Sequence, residues 1–374
     1  MLRFLTAGES HGEALLGILE GMPSGLNIDN VFIDGELKRR QQGYGRGARM
    51  KIEDDSARIL SGLRHGISIG SPISLLIANK DFSIDSLPEV KNVRPGHADL
   101  AGALKYGLGD ARSVLERASA RETALRVAIG AVCKLFLKEF GIRILSHVMM
   151  IGGVRSHTSS LSFDDILKNI AKSKLNCADS ASEKLMIEEI DSAREKQDTL
   201  GGIFEVIIEG APVGLGTYAQ GDRRLDALLA SAIMSIPAVK AVEIGEGMES
   251  SGKLGSKVHD EIFHSKDKGL YRKTNNAGGI EGGISNGENI IARGYMKPIS
   301  TLMKGLNTID ISTKEAVKAS TERSDVCAVP AAGVVGEAMS AISIAGAMLE
   351  KFGGDSVSEA KRNYRSYLDN LEVK

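Results

Sequence analysis

Two long, almost wholly apolar segments constrain this chain more than any other feature. The first, ASARETALRVAIGAVCKLFLKEFG, starts with a serine able to cap a helix (Ser119), carries Glu122 three residues on, and stops at Gly141. Its apolar side chains, from Ala124, Leu125 and Val127 through Val132, Leu135 and Phe136, cover nearly the whole helical circumference. A helix apolar on every side must be buried between other layers. The second, VPAAGVVGEAMSAISIAGAMLEKFGGD, follows Asp325 and also ends in Phe-Gly, with small residues spaced to let a neighbouring helix approach closely. The spacing predicts two pseudo-equivalent central helices.

Something must cover those helices. Strand-like runs occur at Ile67–Ala78, Ile142–Ile151, Ile203–Glu209 and Asn289–Met296, the last preceded by the hairpin-type turn Asn286-Gly287. A further apolar helix is expected from Arg223 toward Val242, with Pro237 bending or ending it. Strands and helices do not alternate regularly, which disfavours a doubly wound parallel sheet and favours an α+β architecture of antiparallel sheets flanking a helical layer. Length alone suggests about two domains. Residues 159–199, rich in Lys, Asp, Glu and Ser, read as two short amphipathic helices in a peripheral charged lobe.

Charge limits the partners. Forty-seven Lys+Arg against 48 Asp+Glu give a net charge of -1, so neither nucleic acid nor a membrane surface is indicated, and any anion site must be local. Cys133, Cys177 and Cys327 lack metal-site or disulfide spacing, which fits a reducing compartment and no metal. MLRFLTAGESHG is too short an apolar stretch for a signal peptide, and no later run is expected to approach about 18 uninterrupted apolar residues. A cytoplasmic location follows as the expectation.

The local anion site is written in arginines. Arg39, Arg40, Arg46 and Arg49 lie in RRQQGYGRGARM, where three glycines oppose a stable helix, and Arg94, Arg117, Arg121 and Arg323 recur beside other irregular loops. Guanidinium forks suit phosphates and carboxylates, and Arg117–Arg121 adjoins the start of the first long helix, where unpaired N–H groups favour an anion. Two histidines sit in glycine-bearing turns, His11 in GESHG and His97 in RPGHAD, where Asp99 is placed to orient the ring. A single turn histidine is most often structural; two beside an arginine cluster point to acid–base chemistry. NNAGGIEGGISNG lacks the order of a P-loop or a dinucleotide fingerprint. A phosphotransferase would need such a loop and magnesium-binding carboxylates, and an RNA-binding protein would need aromatic platforms and a basic excess.

Taken in order, GESHG, RRQQGYGRGARM, RPGHAD, ERASARETA, NNAGGIEGGISNG, KPIST and ERSDVCAVPA resemble the chorismate synthase family, from residue 3 to about residue 350. The resemblance implies one domain over residues 1–374, a β-α-β sandwich with its helical layer between two antiparallel sheets, assembled as a homotetramer. It implies conversion of 5-enolpyruvylshikimate 3-phosphate to chorismate by anti-1,4-elimination of phosphate, with reduced FMN required although no net redox change occurs. NADPH is the implied candidate reductant, with Arg40 and Arg46 as its candidate contacts.

The same resemblance assigns roles by position. Arg40, Arg46, Arg49, Arg94, Arg121 and Arg323 would surround the substrate's phosphate and carboxylates. His11 would be the general acid toward departing phosphate, His97 would face the flavin and help protonate its reduced form, and Asp325 would accept the substrate proton through the flavin N5. Arg117, Ala118, Ser119, Pro237, Ala238, Gly282, Lys297, Pro298, Ile299, Ser300, Thr301 and Arg323 match flavin-contacting positions. Ala118, Pro237 and Ser324 stand where serine, asparagine and histidine are common in the family.

Overall fold

The computed structural model describes residues 1–47, 54–267, 269–321 and 324–371. Its first sheet contains β1 (Arg3–Ala7), β2 (Ala14–Glu20), β3 (Arg58–Ser61) and, beyond a hairpin of β4 (Leu63–Arg64) and β5 (Ile67–Ser68), β6 (Ile73–Ala78). The order is β1-β2-β6-β3, with every pair antiparallel. Strand alternation turns Leu15, Leu19, Ile73, Leu75 and Ile77 inward, while Leu5, Leu16 and Ile18 remain exposed.

The second sheet is built from β7 (Arg143–Ile151), β8 (Val154–Arg155), β9 (Gly202–Glu209), β10 (Val239–Ile244) and, after the hairpins β11 (Ile262–Ser265)–β12 (Gly269–Arg272) and β13 (Ile280–Glu281)–β14 (Ile284–Ser285), β15 (Ile290–Met296). Its order is β10-β15-β9-β7-β8, again antiparallel. A last hairpin joins β16 (Asn307–Ile309) and β17 (Ala316–Lys318).

Between the sheets lies a helical layer. In chain order the helices, several of which lie outside that layer, are α1 (Asn30–Gln41), α2 (Asp99–Tyr106), α3 (Arg112–Arg117), α4 (Thr123–Lys138), α5 (Phe163–Ile170), α6 (Ser180–Glu195), α7 (Leu225–Met234), α8 (Gly247–Ser250), α9 (Val329–Phe352) and α10 (Val357–Asp369). α4 packs under the first sheet and α9 under the second, and the two cross where a Cβ on Gly130 would lie 2.4 Å from that of Ala338. They are the two apolar segments of the sequence, and the expected layer order of an α+β sandwich holds.

By length and composition α9 could cross a membrane, although Glu337 divides its apolar run, so that no stretch of it reaches about 18 uninterrupted apolar residues. Most of it is instead buried in the middle layer. Its one mid-helix charge, Glu337, is fully buried and accepts hydrogen bonds from Arg39, Lys134 and Ser146.

Other expectations need correction. The run Ile67–Ala78 is two strands, because Pro72 cannot donate to a ladder and Gly70 turns the chain at φ 81°. Asn286-Gly287 does not join paired strands, since β14 pairs with β13 while β15 pairs with β9 and β10. The helix expected from Arg223 toward Val242 ends at Met234, and the segment after Pro237 becomes strand β10. Residues 159–199 form the two expected helices, but they are not merely peripheral: α6 buries Met186 and Ile190 completely in the main core. α5 seals a small separate cluster over Leu145 and Ile207.

Candidate active site

A cavity of about 390 Å³ opens where the loops carrying Ser10–His11, Arg46, Gly96–His97, Lys297–Thr301 and Ser324–Asp325 meet the starts of α4 and α9. That size falls within the usual range for ligand pockets. Apolar residues Leu115, Ile236, Met296, Ala331, Ala332 and Val335 supply part of the wall.

Local chemistry fixes each loop. In the Arg94–Asp99 turn Gly96 adopts φ 77°, which a side chain would resist, and the His97 N–H donates to the Arg94 carbonyl at 3.3 Å. In the arginine loop Gly45 has φ 89°, and a Cβ there would meet Ile190 of α6 at 3.0 Å. The loop is also pinned by Tyr44, whose hydroxyl donates to Asp191 at 2.9 Å, and by the Gly47 N–H, which donates to Asp325 Oδ1 at 2.6 Å.

His11 is held by a buried carboxylate. Glu116 Oε2 accepts from the His11 backbone N–H at 2.9 Å and lies 2.8 Å from Nδ1. Burial alone would raise the Glu116 pKa, but hydrogen bonding and charge from His11, then Arg112, hold it below the ordinary value. An ionised Glu116 accepts the Nδ1 proton, leaving Nε2, 3.8 Å from Asp81, as the nitrogen for proton transfer.

His97 is oriented in the same manner by Asp99, which contacts its Nδ1. Asp99 is fully buried and also accepts from Arg94 Nε at 2.8 Å and Nη2 at 3.0 Å. Burial opposes its charge, but His97 and Arg94 hold its carboxyl well below the usual carboxylate range. Arg94 Nη1 donates to Thr301 at 2.9 Å, so this guanidinium braces the cavity wall through all three of its nitrogens.

Arg40 is different. It is buried, donates from Nε to Thr123 Oγ1 at 3.0 Å and from Nη2 to the Ala120 carbonyl at 2.9 Å, and among the described residues its Nη1 has no hydrogen-bond partner. Asp55 lies 3.6 Å from that nitrogen. Burial first, and then the nearby positive charges of Arg46 and Arg121, lower its pKa to about 10 despite Asp55. A buried cation with a spare donor is a place where an added anion relieves both costs. Arg46 faces the same space, its Nε 3.2 Å from Asp325 Oδ2.

His11, His97, Asp325, Arg40, Arg46 and Arg94 therefore line one cavity, together with Ala118, Ser119, Pro237, Ala238, Lys297, Ile299, Ser300 and Thr301. Pro298 belongs to the same segment but is exposed beside it. Arg121 lies behind the lining, donating to Asp55 at 2.6 Å and Asn79 at 2.9 Å. Arg117 turns to the end of β1, donating to the carbonyls of Gly8 and Thr6 at 2.8 and 3.0 Å. Gly282 sits in the β13–β14 turn, outside the lining. Arg49 and Arg323 lie outside the described residues. Sequence reading missed Glu116 and Asp55. Glu116 lies within ERASARETA, but its partner His11 is 105 residues away.

A sequence profile of the chorismate synthase family matches residues 2–349. The chain is 54% identical to chorismate synthase from Koribacter versatilis, covering 100% of both chains, and 55% identical to that from Thermoanaerobacter pseudethanolicus, covering 98% of each. The chain belongs to the chorismate synthase family. A solved structure described as a crystal structure of chorismate synthase superposes with a TM-score of 0.83 at 44% identity, covering 98% of this chain and 97% of that one. Chorismate synthases are lyases of the shikimate pathway that convert 5-enolpyruvylshikimate 3-phosphate to chorismate and phosphate, the activity expected from the sequence.

Proposed function

We propose that this cavity binds reduced FMN and 5-enolpyruvylshikimate 3-phosphate together, with His11, His97 and Asp325 as its proton-handling groups. The observation that carries the reading is the buried Arg40 with its unused Nη1 donor, in the same cavity as a histidine already oriented by a carboxylate. The lining also fits a flavin. Leu115, Ile236, Met296 and Val335 offer flat apolar walls, small residues Gly96, Ala118, Ala331 and Ala332 leave room between them, and Ser119, Lys297, Ser300 and Thr301 offer polar partners. Burial lowers the Lys297 pKa, as does Lys240, a condition that an anionic cofactor group would reverse.

When bound, the reduced flavin supplies an electron-rich partner to the elimination without net redox change. The chain does the rest. Arg40 and Arg46, with Arg49, Arg94, Arg121 and Arg323 as further members of the set, hold the phosphate and carboxylates and offset their charge. His11 donates a proton from Nε2 to the departing phosphate, while Glu116 keeps the other ring nitrogen protonated and balances the imidazolium. Asp325 accepts the proton lost from the substrate. His97, held by Asp99, maintains a proton on the flavin side of the cavity. Ala118, Pro237, Ala238 and Ile299 line the flavin slot, with Arg117, Pro298 and Gly282 as outer contacts.

NADPH is the proposed source of reducing equivalents, with Arg40 and Arg46 as contacts for its phosphate. The assembly proposed is a homotetramer. Exposed Leu5, Leu16, Ile18 and Leu60 on the outer face of the first sheet provide apolar area for a second copy to cover. Three free, buried cysteines fit a reducing cytoplasm.

The test is anaerobic incubation of the purified chain with chemically reduced FMN and 5-enolpyruvylshikimate 3-phosphate, following chorismate absorbance and phosphate release. Equimolar products are expected; no product with reduced flavin present would overturn the reading. His11→Ala and Asp325→Ala should lower turnover more than they weaken FMN binding.

A further inference from the structure

A second cavity, of about 620 Å³, lies between the C-terminal halves of α1 and α4, the start of β7, and α5. The proton and anion chemistry above does not use it. Phe32, Ile144, Leu145, Phe163, Leu167 and Ile170 give it apolar walls. The charges on its lining are predominantly positive. Arg39 and Lys134 are neutralised by Glu36 and Glu337, and Arg143 by Asp164 and Glu209. Lys138 and Lys174 also line it, and among the described residues neither ammonium has a carboxylate partner. An apolar hollow with two unneutralised cations at its edge is complementary to a molecule with an apolar body and a negative end.

The two cavities share a wall. Gln42 and Gly43 line the second cavity while Arg40 and Arg46 line the first; Pro330 and Val334 of α9 face the second while Ala331, Ala332 and Val335 face the first. Gly43 and Pro330 approach closely across the partition: a Cβ on Gly43 would lie 3.4 Å from that of Pro330, at ordinary van der Waals contact. A group pressing on one side of so thin a wall displaces side chains on the other.

We propose that the second cavity is a binding site for a small amphipathic anion, an apolar ring system carrying a carboxylate or sulfonate, and that its occupancy changes ligand affinity in the first cavity through the shared wall. The binding half does not depend on the flavin reading; only the coupling half does. The probe is 8-anilinonaphthalene-1-sulfonate, titrated calorimetrically into the full chain with the first cavity filled by FMN.

One saturable site per chain is expected, weakened at least about tenfold by Lys138→Glu with Lys174→Glu, both exposed positions outside the proposed catalytic set. Leu167→Trp, which fills the hollow from a partly exposed position, should abolish the same site. Saturating probe should shift the FMN dissociation constant at least about threefold, and FMN should shift that of the probe by the same factor. Unchanged probe affinity in both variants, or loss of the probe because the assembled protein covers the cavity with a second copy, would overturn the site. Probe binding with unchanged FMN affinity would overturn the coupling and leave the flavin reading standing. Failure of FMN to bind at all would refute that reading while the variants still judged the site.

Discussion

Replacing Glu337 by Gln tests whether the buried charge in the middle of α9 holds the helical layer together. Oε1 accepts from the Ser146 N–H at 2.8 Å, the Ser146 hydroxyl at 2.7 Å and Arg39 Nη2 at 2.6 Å; Oε2 accepts from Arg39 Nη1 at 2.8 Å and from Lys134. An amide has one oxygen. If it takes the Oε1 position, its NH2 group confronts Arg39 Nη1 and the Lys134 ammonium, donor against donor. Removing one partner from a buried ion pair costs about 3–5 kcal/mol. Arg39, whose side chain is 34% exposed, recovers some solvation, whereas Lys134 at 9% does not, so a loss of about 3 kcal/mol is expected. Glu36 remains as a partner for both cations and prevents a larger loss.

The measurement is urea unfolding followed by circular dichroism at one fixed protein concentration, because the proposed assembly would contribute to apparent stability. Adding Lys134→Met should recover at least about half of the loss by removing the orphaned ammonium. A loss under about 1 kcal/mol, or no recovery in the double variant, would refute the reasoning. The pH dependence gives an independent reading. Burial alone would raise the Glu337 pKa, but Arg39 and Lys134 pull it well below the usual carboxylate value. A depressed folded-state pKa means the contribution is complete above the unfolded value of about 4.3 and is lost as pH falls toward the folded value. Wild type and Glu337→Gln should therefore converge in stability on acidification.

Three further outcomes follow from the same geometry. Gly130→Ala places a Cβ 2.4 Å from the Ala338 Cβ and 2.5 Å from its Cα, so α4 and α9 must separate; a loss of about 2–3 kcal/mol in urea unfolding is expected, and a neutral result would contradict the close crossing. Asp99→Asn removes a carboxylate held well below the usual range, so its stabilising contribution should disappear as pH drops below about 4; unfolding free energy should fall less steeply with acid in the variant, and equal slopes would count against the His97–Asp99–Arg94 arrangement. Glu116→Gln should lower turnover by about 10- to 100-fold with little change in substrate KM, because His11 loses the group fixing its tautomer; a KM effect alone would show that Glu116 serves binding rather than proton transfer.

The sequence by itself determined the layer order. Two segments apolar around their whole circumference cannot sit at a surface, and their small residues, Gly130 and Ala338 among them, already encode a close helix crossing. It also pointed to part of the cavity, because turns with arginine and histidine are visible as local patterns, while Pro237 and Ala238 were reached only through the family resemblance. What it could not carry were relations between distant residues. Glu116 orients His11 across 105 positions, Asp55 contacts Arg40 and Arg121, and Arg117 turns toward β1 although it adjoins a cavity residue. Nor could composition distinguish α9 from a membrane span, since only packing shows that its apolar faces meet protein and that Glu337 meets two cations. Burial, and the direction in which a side chain leaves its turn, are set by contacts with the rest of the chain. A local pattern therefore determines which groups are available, and the tertiary structure determines which of them retain a free donor, as Arg40 does and Arg94 does not.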